Sequence, residues 1–313
     1  MNWNPDRLPD RTGRTIVVTG ATAGIGYFAA EQLAAAGADV VLASRSESKL
    51  HLAEASIRGQ VPGASVRSVL IDLASLDSVS RAADELRELP RLDGVLLNGG
   101  AMTGWRGAPT ADGLPPILGT HVISNVRLLA GILPSLIATG EAEGVASRIV
   151  HTSTGFVSQF RLDVDDVRAT PRSAIAAYTK AKTVTEVFAF ELDRRLRAAG
   201  LPVASLVVRP GVGVDAKTPE RTGIHDASTP YRRNPYTPWA QGKDTAAWAA
   251  VRALADPAAQ GGEYYAPAGR LRGLPLRVEP LARTHTPPAE LAQSVWDQLE
   301  ELAGVHLSLP IRR

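Results

Sequence analysis

Short apolar runs alternate with longer amphipathic segments along most of the chain. Short, mainly apolar runs predict strands at residues 15–20, 38–44, 65–73, 94–98, 148–154, 203–211 and 263–267, and the run at 94–98 is unbroken. Helical periodicity predicts helices at residues 24–36, 46–57, 75–89, 121–138, 173–199, 243–254 and 287–303. Strands that alternate with helices in this way are typical of a parallel sheet covered by helices on both faces. The pattern therefore predicts an α/β fold, a Rossmann-type doubly wound parallel sheet in three layers, α/β/α.

The chain shows no internal repeat and no linker of the length that separates domains. We therefore expect a single domain over residues 1–313, with a substrate-loop insertion at about 213–240 and a C-terminal helical tail at about 287–303. The insertion is rich in proline and lacks periodicity, which is typical of a functional loop. Its aromatic side chains either cover an apolar ligand or pack the loop onto the domain: Tyr231, Tyr236 and Trp239.

Composition narrows the function classes. The 34 basic and 32 acidic residues leave a formal net charge of +2, which gives no electrostatic case for a nucleic-acid or membrane partner. The absence of cysteine excludes disulfides, thiolate metal sites and cysteine nucleophiles, and the six histidines show no metal-ligand spacing. The first residues are polar, and no run approaches the roughly 18 to 20 apolar residues of a bilayer span. We therefore expect a soluble, cytoplasmic protein without a metal.

The segment TGATAGIG at 19–26 lies between the first predicted strand and the first predicted helix. Bare backbone N–H groups can bind a pyrophosphate, whereas side chains would block its approach. Gly20 permits the tight turn, and Gly24 and Gly26 let the backbone and the helix N-terminus close on the phosphates. A glycine triplet alone is a weak signal, which the strand–turn–helix context strengthens. We expect these residues of the turn to contact a dinucleotide: Gly20, Thr22, Ala23, Gly24, Ile25 and Gly26.

The end of the second predicted strand distinguishes NADP from NAD. An NAD site generally places a carboxylate there for the ribose hydroxyl, but this chain has Ser44 and Arg45. A guanidinium at that point binds a 2′-phosphate through charge-assisted hydrogen bonds, although Arg45 is alternatively a surface residue that begins a loop. Asp72 is placed to reach the adenine edge, and Asn98 to tie neighbouring strands together beside the cofactor; either is alternatively a structural cap. NADP(H) is the predicted cofactor.

Tyr178 and Lys182 stand four residues apart on the long predicted helix and so share one face. A tyrosine has an ordinary pKa near 10, and a lysine ammonium one turn away stabilises its phenolate and lowers that pKa. The tyrosine would then act as a general acid or base while the lysine orients the nicotinamide ribose. A lone Tyr-x-x-x-Lys pair is common by chance, and its value here comes from its order after the glycine-rich turn.

With these features in order, the chain resembles the short-chain dehydrogenase/reductase family over nearly its whole length. The motifs that carry the resemblance are TGATAGIG, Asp72-Leu73, Asn98-Gly99, RIVHTST, AYTKAK and VVRPG. Within the family the chain is similar to the retinol-dehydrogenase-like, NADP-preferring group, on the stretches ASRS, TADG and AYTKAKTVTEVFAFELDRRL. The resemblance implies cofactor contacts at further positions: Leu73, Asn98, Gly99, Gly100, Tyr178, Lys182, Pro210 and Gly211.

The resemblance also implies an active-site tetrad of Asn, Ser, Tyr and Lys. Tyr178 and Lys182 match, whereas the asparagine position falls on His121. The serine position falls on Thr154 when the fifth strand is the anchor, and on Ser153 when residues are counted back from Tyr178 without gaps. The family asparagine helps to hold a water that links the lysine to solvent. A histidine there continues this relay, alters it or only fills the space.

The remaining candidates for the site are the stretch at 98–101 and His151. The usual NNAG stretch is changed to Asn98-Gly99-Gly100-Ala101, which removes a side chain near the cofactor. His151 lies two residues before Ser153 and faces the same side of the strand, and it is only a minor candidate for direct chemistry.

The leading hypothesis is an NADP(H)-dependent oxidoreductase that interconverts a carbonyl and an alcohol on a bulky, largely apolar molecule. The alternative is a non-redox role, either a dehydration, cyclisation or isomerisation by the altered tetrad, or binding of NADP(H) for structure or sensing. Family relatives commonly pair through the helices predicted at 121–138 and 173–199. Their alanine-rich faces fit either a homodimer or homotetramer, or burial within one subunit.

Overall fold

The structure is a computed structural model that describes residues 3–100 and 107–310. Of the Asn98-Gly99-Gly100-Ala101 stretch, Ala101 lies outside the described residues. The strands are β1 (Thr15–Thr19), β2 (Asp39–Ser44), β3 (Val66–Leu70), β4 (Gly94–Leu97), β5 (Ser147–Thr152), β6 (Val203–Val208), β7 (Tyr264–Pro267) and β8 (Pro275–Val278).

Eleven α-helices lie among the described residues, with one π-helical turn at Gly119–Ile123 and one 3₁₀ turn at Asp215–Lys217. The helices are α1 (Gly24–Ala35), α2 (Glu47–Gln60), α3 (Leu76–Arg87), α4 (Pro116–Leu118), α5 (Ser124–Glu143), α6 (Phe156–Gln159), α7 (Ala174–Ala198), α8 (Lys243–Ala246), α9 (Trp248–Ala255), α10 (Ala282–His285) and α11 (Ala289–Ala303).

The eight strands form one sheet in the order β3-β2-β1-β4-β5-β6-β7-β8. All neighbouring strands run parallel except β7 and β8, which are antiparallel. The strand order reverses between β1 and β4, and a crevice for a ligand forms at such a point beyond the carboxyl ends of the strands. The predicted Rossmann-type sheet is confirmed, and the antiparallel edge strand β8 is an addition that the sequence pattern did not indicate.

Alternating strand residues contribute their side chains to two hydrophobic cores, one on each face of the sheet. On β1, Ile16 and Val18 pack with α1, α2 and α9, whereas Val17 packs with α3, α5, α7 and α11. The period of two follows from the pleat of the strand. The fold therefore has the three predicted layers, and the catalytic candidates on α5 and α7 belong to one of its two helical layers.

The helix predicted at 121–138 is longer than expected. Helical structure is continuous from Pro116 to Glu143, because the π turn joins α4 to α5. The helix runs past its predicted end at residue 138 to Glu143, and Pro134 lies inside α5, whose apolar side chains beyond it remain buried. The prediction that no apolar segment approaches the length of a bilayer span is also wrong. Over an 18-residue window the mean hydropathy reaches 1.6, and 61% of that window is buried inside the protein, as in the core helix of a globular fold.

The C-terminal helix α11 covers α5 and α7. Trp296 is buried against Phe188 of α7, with ring centroids 5.2 Å apart, and the Arg195 guanidinium lies 3.9 Å from the centre of the indole. Arg127 of α5 donates hydrogen bonds to the carbonyls of Ala303 and Gly304 at the end of α11, at 3.1 and 2.8 Å. The α5 and α7 surfaces that the sequence left open for pairing or internal burial are thus partly buried within the subunit.

The insertion at 213–240 is anchored at its base rather than by its aromatic rings. Arg221 forms a two-point ion pair with Glu31 of α1, at 2.6 and 2.8 Å. Tyr231, Tyr236 and Trp239 are each more than half exposed, so they neither pack the loop onto the fold nor enclose a cavity in this conformation.

Candidate active site

The glycine-rich turn brings β1, β4 and α1 into close contact. The Thr19 hydroxyl accepts hydrogen bonds from the backbone N–H groups of Asn98 (3.0 Å) and Gly99 (2.9 Å), and donates to the carbonyl of Leu96. Gly20 has a φ of +68°, and a β-carbon added there would lie 2.8 Å from Cα of Gly99. Only glycine fits a left-handed backbone at this separation.

The N-terminus of α1 is open to a ligand. Ala23 precedes the helix without a side-chain cap, and the first turn holds no acidic residue. The first N–H groups of a helix without a cap carry partial positive charge and need a partner. A β-carbon added at Gly26 would lie 2.8 Å from the Asn98 side chain, so the helix can begin this close to the sheet only with glycine there. The turn therefore presents backbone donors that suit a phosphate.

A cavity of about 380 Å³ lies beside this turn, at the reversal of the strand order. It brings together many of the residues predicted to bind cofactor. Its lining comprises Gly20, Ala43, Ser44, Arg45, Ile71, Asp72, Leu73, Ala74, Gly99, Gly100, Pro116 and Thr120. The exposed Arg45 side chain forms no ion pair with any described residue, and β2 ends without a carboxylate.

Several predicted cofactor residues have other contacts. The Asp72 carboxylate accepts the N–H of Ala74 at 3.0 Å, so one of its oxygens caps a local turn while the residue lines the cavity. The Thr22 and Ser44 hydroxyls hydrogen-bond each other at 3.2 Å. Pro210 and Gly211 are not among the lining residues, and the Pro210 carbonyl accepts from the Gln241 side chain at 2.9 Å.

Tyr178 and Thr154 meet where α7 passes the end of β5. The expectation that Lys182 lowers the pKa of the Tyr178 phenol is wrong here, because burial raises that pKa to about 12 and only the Thr154 hydroxyl opposes the rise. The Thr154 hydroxyl is itself held by the N–H of Phe156, at 3.4 Å. Two hydroxyl groups therefore converge at one point, as a carbonyl oxygen requires for binding and protonation.

Lys182 lies one turn further along α7 and is buried. Its Nζ donates a hydrogen bond to the carbonyl of Thr152 at 2.7 Å and lies 5.8 Å from the centre of the Tyr178 ring. Burial lowers the pKa of Lys182 to about 8, and the Glu186 carboxyl opposes the fall. The cation thus stands behind the tyrosine with a fixed orientation, close to its titration point near neutral pH.

His121 lies in the π turn, and its ring packs edge-on against Tyr178, with centroids 5.3 Å apart and planes at 78°. The His121 carbonyl accepts a hydrogen bond from the buried Asn125 side chain at 2.8 Å. The structure therefore brings the predicted tetrad positions His121, Thr154, Tyr178 and Lys182 together. Sequence reasoning missed Asn125, although its spacing of four residues from His121 placed it on the same helix face.

Ser153 points away from this group. Its hydroxyl donates to Glu186 at 2.5 Å, and the Tyr264 and Thr284 hydroxyls donate to the same carboxyl at 3.1 and 2.9 Å. Burial raises the pKa of Glu186, and these three donors oppose the rise. Of the two alternatives for the serine position, the geometry favours Thr154. Glu186 was also missed, although it follows Lys182 by one turn.

His151 is fully buried behind the site. Its ring packs against Phe188 at 6.0 Å, and burial, followed by the charge of Lys182, lowers the pKa of its imidazole to about 3. The ring is therefore neutral at physiological pH and is a packing group rather than an acid or base.

Comparisons with known proteins agree with this geometry. A family model for short chain dehydrogenases matches residues 14–162. The chain is 30% identical over 314 residues to the short-chain dehydrogenase/reductase drtF of Aspergillus calidoustus, covering 95% of this chain and 96% of that protein. It therefore belongs to the short-chain dehydrogenase/reductase family.

Other relatives place it more narrowly. Mouse polyprenol dehydrogenase is 35% identical over 212 residues, and human retinol dehydrogenase 13 is 33% identical over 221 residues. These alignments cover 67% and 69% of this chain, and 63% of each relative's length. The chain is thus similar to a polyprenol and a retinol dehydrogenase, and it spans less than two thirds of the length of each.

Solved structures show the same fold. A structure from Mycobacterium paratuberculosis, described as a putative uncharacterized protein, has a TM-score of 0.76 at 26% identity and covers 99% of this chain and all of that one. A metagenomic short-chain oxidoreductase in complex with NADP has a TM-score of 0.51 at 26% identity, over 65% of this chain and 86% of that one.

Proposed function

We propose that the protein is an NADP(H)-dependent oxidoreductase that interconverts a carbonyl and an alcohol on a bulky, largely apolar small molecule. The observation that carries the proposal is the convergence of Thr154 and Tyr178 in front of a buried Lys182, at the carboxyl edge of the sheet that also forms the dinucleotide cavity. A hydroxyl pair of this kind binds a carbonyl oxygen and supplies its proton.

The bound nicotinamide would supply or accept the hydride at the substrate carbon. In the direction of reduction, Thr154 would donate a hydrogen bond to the carbonyl oxygen, and the Tyr178 phenol would transfer its proton to that oxygen. The Lys182 ammonium would stabilise the phenolate that remains. In the direction of oxidation, the phenolate would remove the proton of the alcohol.

The preference for NADP rests on Arg45. Its guanidinium lies at the rim of the cavity without an ion-pair partner among the described residues and so suits a 2′-phosphate, and the end of β2 offers no carboxylate to bind the ribose hydroxyl of NAD. The NADP complex of a structural relative supports this assignment.

The substrate class has weaker but consistent support. Polyprenol and retinol, the substrates in the names of two relatives, are long apolar alcohols. In this chain Ile175 lies one turn before Tyr178 on α7 and is 47% exposed, so an apolar side chain is available near the reacting hydroxyls.

A cytoplasmic location stays a prediction, which fractionation of cells that express the protein would test.

Two substitutions test the cofactor and the chemistry separately. Replacing Arg45 by Glu should weaken NADPH binding by roughly 10- to 100-fold, the loss of one charge-assisted contact, while NADH binding is retained. Replacing the exposed Arg67 of β3 by Glu makes the same charge change away from the cavity and is the matched control. Equal effects of both substitutions on NADPH binding would contradict the role of Arg45.

Replacing Tyr178 by Phe should lower kcat for carbonyl reduction by about 10²- to 10⁴-fold, because the proton donor is lost, with NADPH affinity little changed. The measurement is cofactor turnover against a panel of aliphatic and terpenoid ketones and alcohols, with binding followed by nucleotide fluorescence. Product formation without cofactor turnover would instead support the non-redox alternative.

A further inference from the structure

The His121 ring fills the space next to Gly100, beside the cofactor cavity. A β-carbon added at Gly100 would lie 2.5 Å from Nδ1 and 2.7 Å from Nε2 of the His121 ring, and closer still to its Cε1. Such separations are far below van der Waals contact, and Gly100 also has a φ of +129°, a backbone region that favours glycine. The imidazole therefore fills the space that a side chain at position 100 would need.

The His121 ring has little freedom to move aside. It is 3% exposed, its backbone belongs to the π turn, and its carbonyl is held by Asn125. Its ring packs edge-on against Tyr178 at 5.3 Å. Since interiors are densely packed, a displacement of the imidazole is transmitted to its neighbours, and Tyr178 is one of them.

We propose that Gly100 is a positioning residue for Tyr178 and acts through His121. Without a side chain at Gly100, the imidazole lies where it supports one side of the Tyr178 ring. The two departures from the family pattern, glycine at 100 and histidine at 121, are on this account one coupled change. The proposal rests on the proposed function for the role of Tyr178, but the contact itself does not.

A double-mutant cycle tests the coupling. The four proteins are the wild type, Gly100→Ala, His121→Asn and the double variant, compared by kcat for carbonyl reduction and by thermal midpoint. The backbone strain of alanine at a φ of +129° is present in both backgrounds and cancels in the cycle, whereas the clash with the imidazole exists only in one. We expect Gly100→Ala to lower kcat by roughly 30-fold or more when His121 is present, since small displacements of catalytic groups cost about 10²-fold. With asparagine at 121 the same change should cost less than about threefold, so that the second substitution rescues the first.

An equal loss of kcat in both backgrounds would overturn the proposal. Coupling in the thermal midpoint without coupling in kcat would overturn it as well, because the pair would then be a packing contact only.

A second readout needs no turnover and separates this proposal from the proposed function. Among the six tyrosines, ring-labelled Tyr178 is assigned in NMR spectra by its loss in Tyr178→Phe. Its signal should shift on Gly100→Ala in the wild-type background and not in the His121→Asn background. A shift that follows this pattern in a protein inactive on every carbonyl sinks the proposed function and keeps the coupling, whereas an unmoved signal sinks the coupling itself.

Discussion

Ser153 and Thr154 are adjacent at the end of β5, but their hydroxyl groups have different partners. A conservative substitution should therefore lower stability at Ser153 and activity at Thr154. The Thr154 hydroxyl lies beside the Tyr178 phenol and opposes the rise of its pKa, whereas the Ser153 hydroxyl donates to a carboxyl that is fully buried. Thr154→Val keeps the shape of the side chain and removes its hydroxyl. Ser153→Ala removes a donor to Glu186 and leaves the Tyr178 region intact.

The expected magnitudes follow from these contacts. Loss of one hydrogen-bond donor to a reacting oxygen costs about 2.7 to 4 kcal/mol of transition-state stabilisation, so Thr154→Val should lower kcat/KM by roughly 10²- to 10³-fold. Loss of one hydrogen-bond partner of a buried polar group costs about 1 to 3 kcal/mol, so Ser153→Ala should lower the free energy of unfolding by that amount. Its kcat/KM should change by less than about threefold, since Tyr264 and Thr284 still hold Glu186.

The assay measures NADPH consumption with a ketone substrate and unfolding in urea for each variant. Thr152→Val is the matched control, because the Thr152 hydroxyl is buried two residues earlier and has no hydrogen-bond partner among the described residues. We expect it to change neither quantity much. Loss of activity in Ser153→Ala with normal activity in Thr154→Val would refute the assignment and restore the ungapped alignment of the family serine.

Two further predictions rest on single buried side chains. The pKa of Lys182, lowered to about 8 by burial, predicts that kcat/KM for reduction falls as pH rises through about 8, where the ammonium is lost. In the unfolded state the lysine keeps its proton up to a pH of about 10.5. Between pH 8 and pH 10.5 the unfolded state therefore binds more protons than the folded state, so the free energy of unfolding rises with pH across that window. Lys182→Met should abolish this rise in a series of urea melts at different pH values. Trp296→Ala should destabilise the fold by about 3 to 5 kcal/mol, because it empties the contact between α11 and α7, whereas Trp239→Ala, at a residue 59% exposed, should change stability by less than about 0.5 kcal/mol.

The sequence predicted the sheet well because its central strands are buried on both faces. Segments such as Thr15–Thr19 and Val203–Val208 are mainly apolar and buried at every residue, as expected for a parallel sheet that is covered on both faces. The edge strand Pro275–Val278 escaped detection, since it is short and two of its four side chains are exposed. The end of α5 was predicted at residue 138, short of Glu143, and the helix tolerates Pro134 because tertiary burial of its apolar face outweighs the local cost of proline.

The residues of the candidate site were likewise predictable from the sequence only in part. Tyr178 and Lys182 were accessible to sequence reasoning because their spacing sets their common helix face. The choice between Ser153 and Thr154 was not, since β5 ends at Thr152 and strand alternation no longer fixes the directions of the side chains beyond it. The overlap of Gly100 with His121 joins two elements distant in sequence, so no local pattern reveals it.

The cover that α11 provides has a consequence for the order in which the chain folds. Nearly half of the sequence separates the end of α5 from α11, so a ribosome synthesises the whole central sheet before that cover emerges. During this interval the apolar faces of α5 and α7 that later receive Trp296 are exposed to solvent, and α5 belongs to a segment with the hydropathy of a membrane helix. Exposed surfaces of this kind bind chaperones or aggregate. The nascent chain is therefore vulnerable in the interval after its cofactor-binding half is complete and before α11 is synthesised.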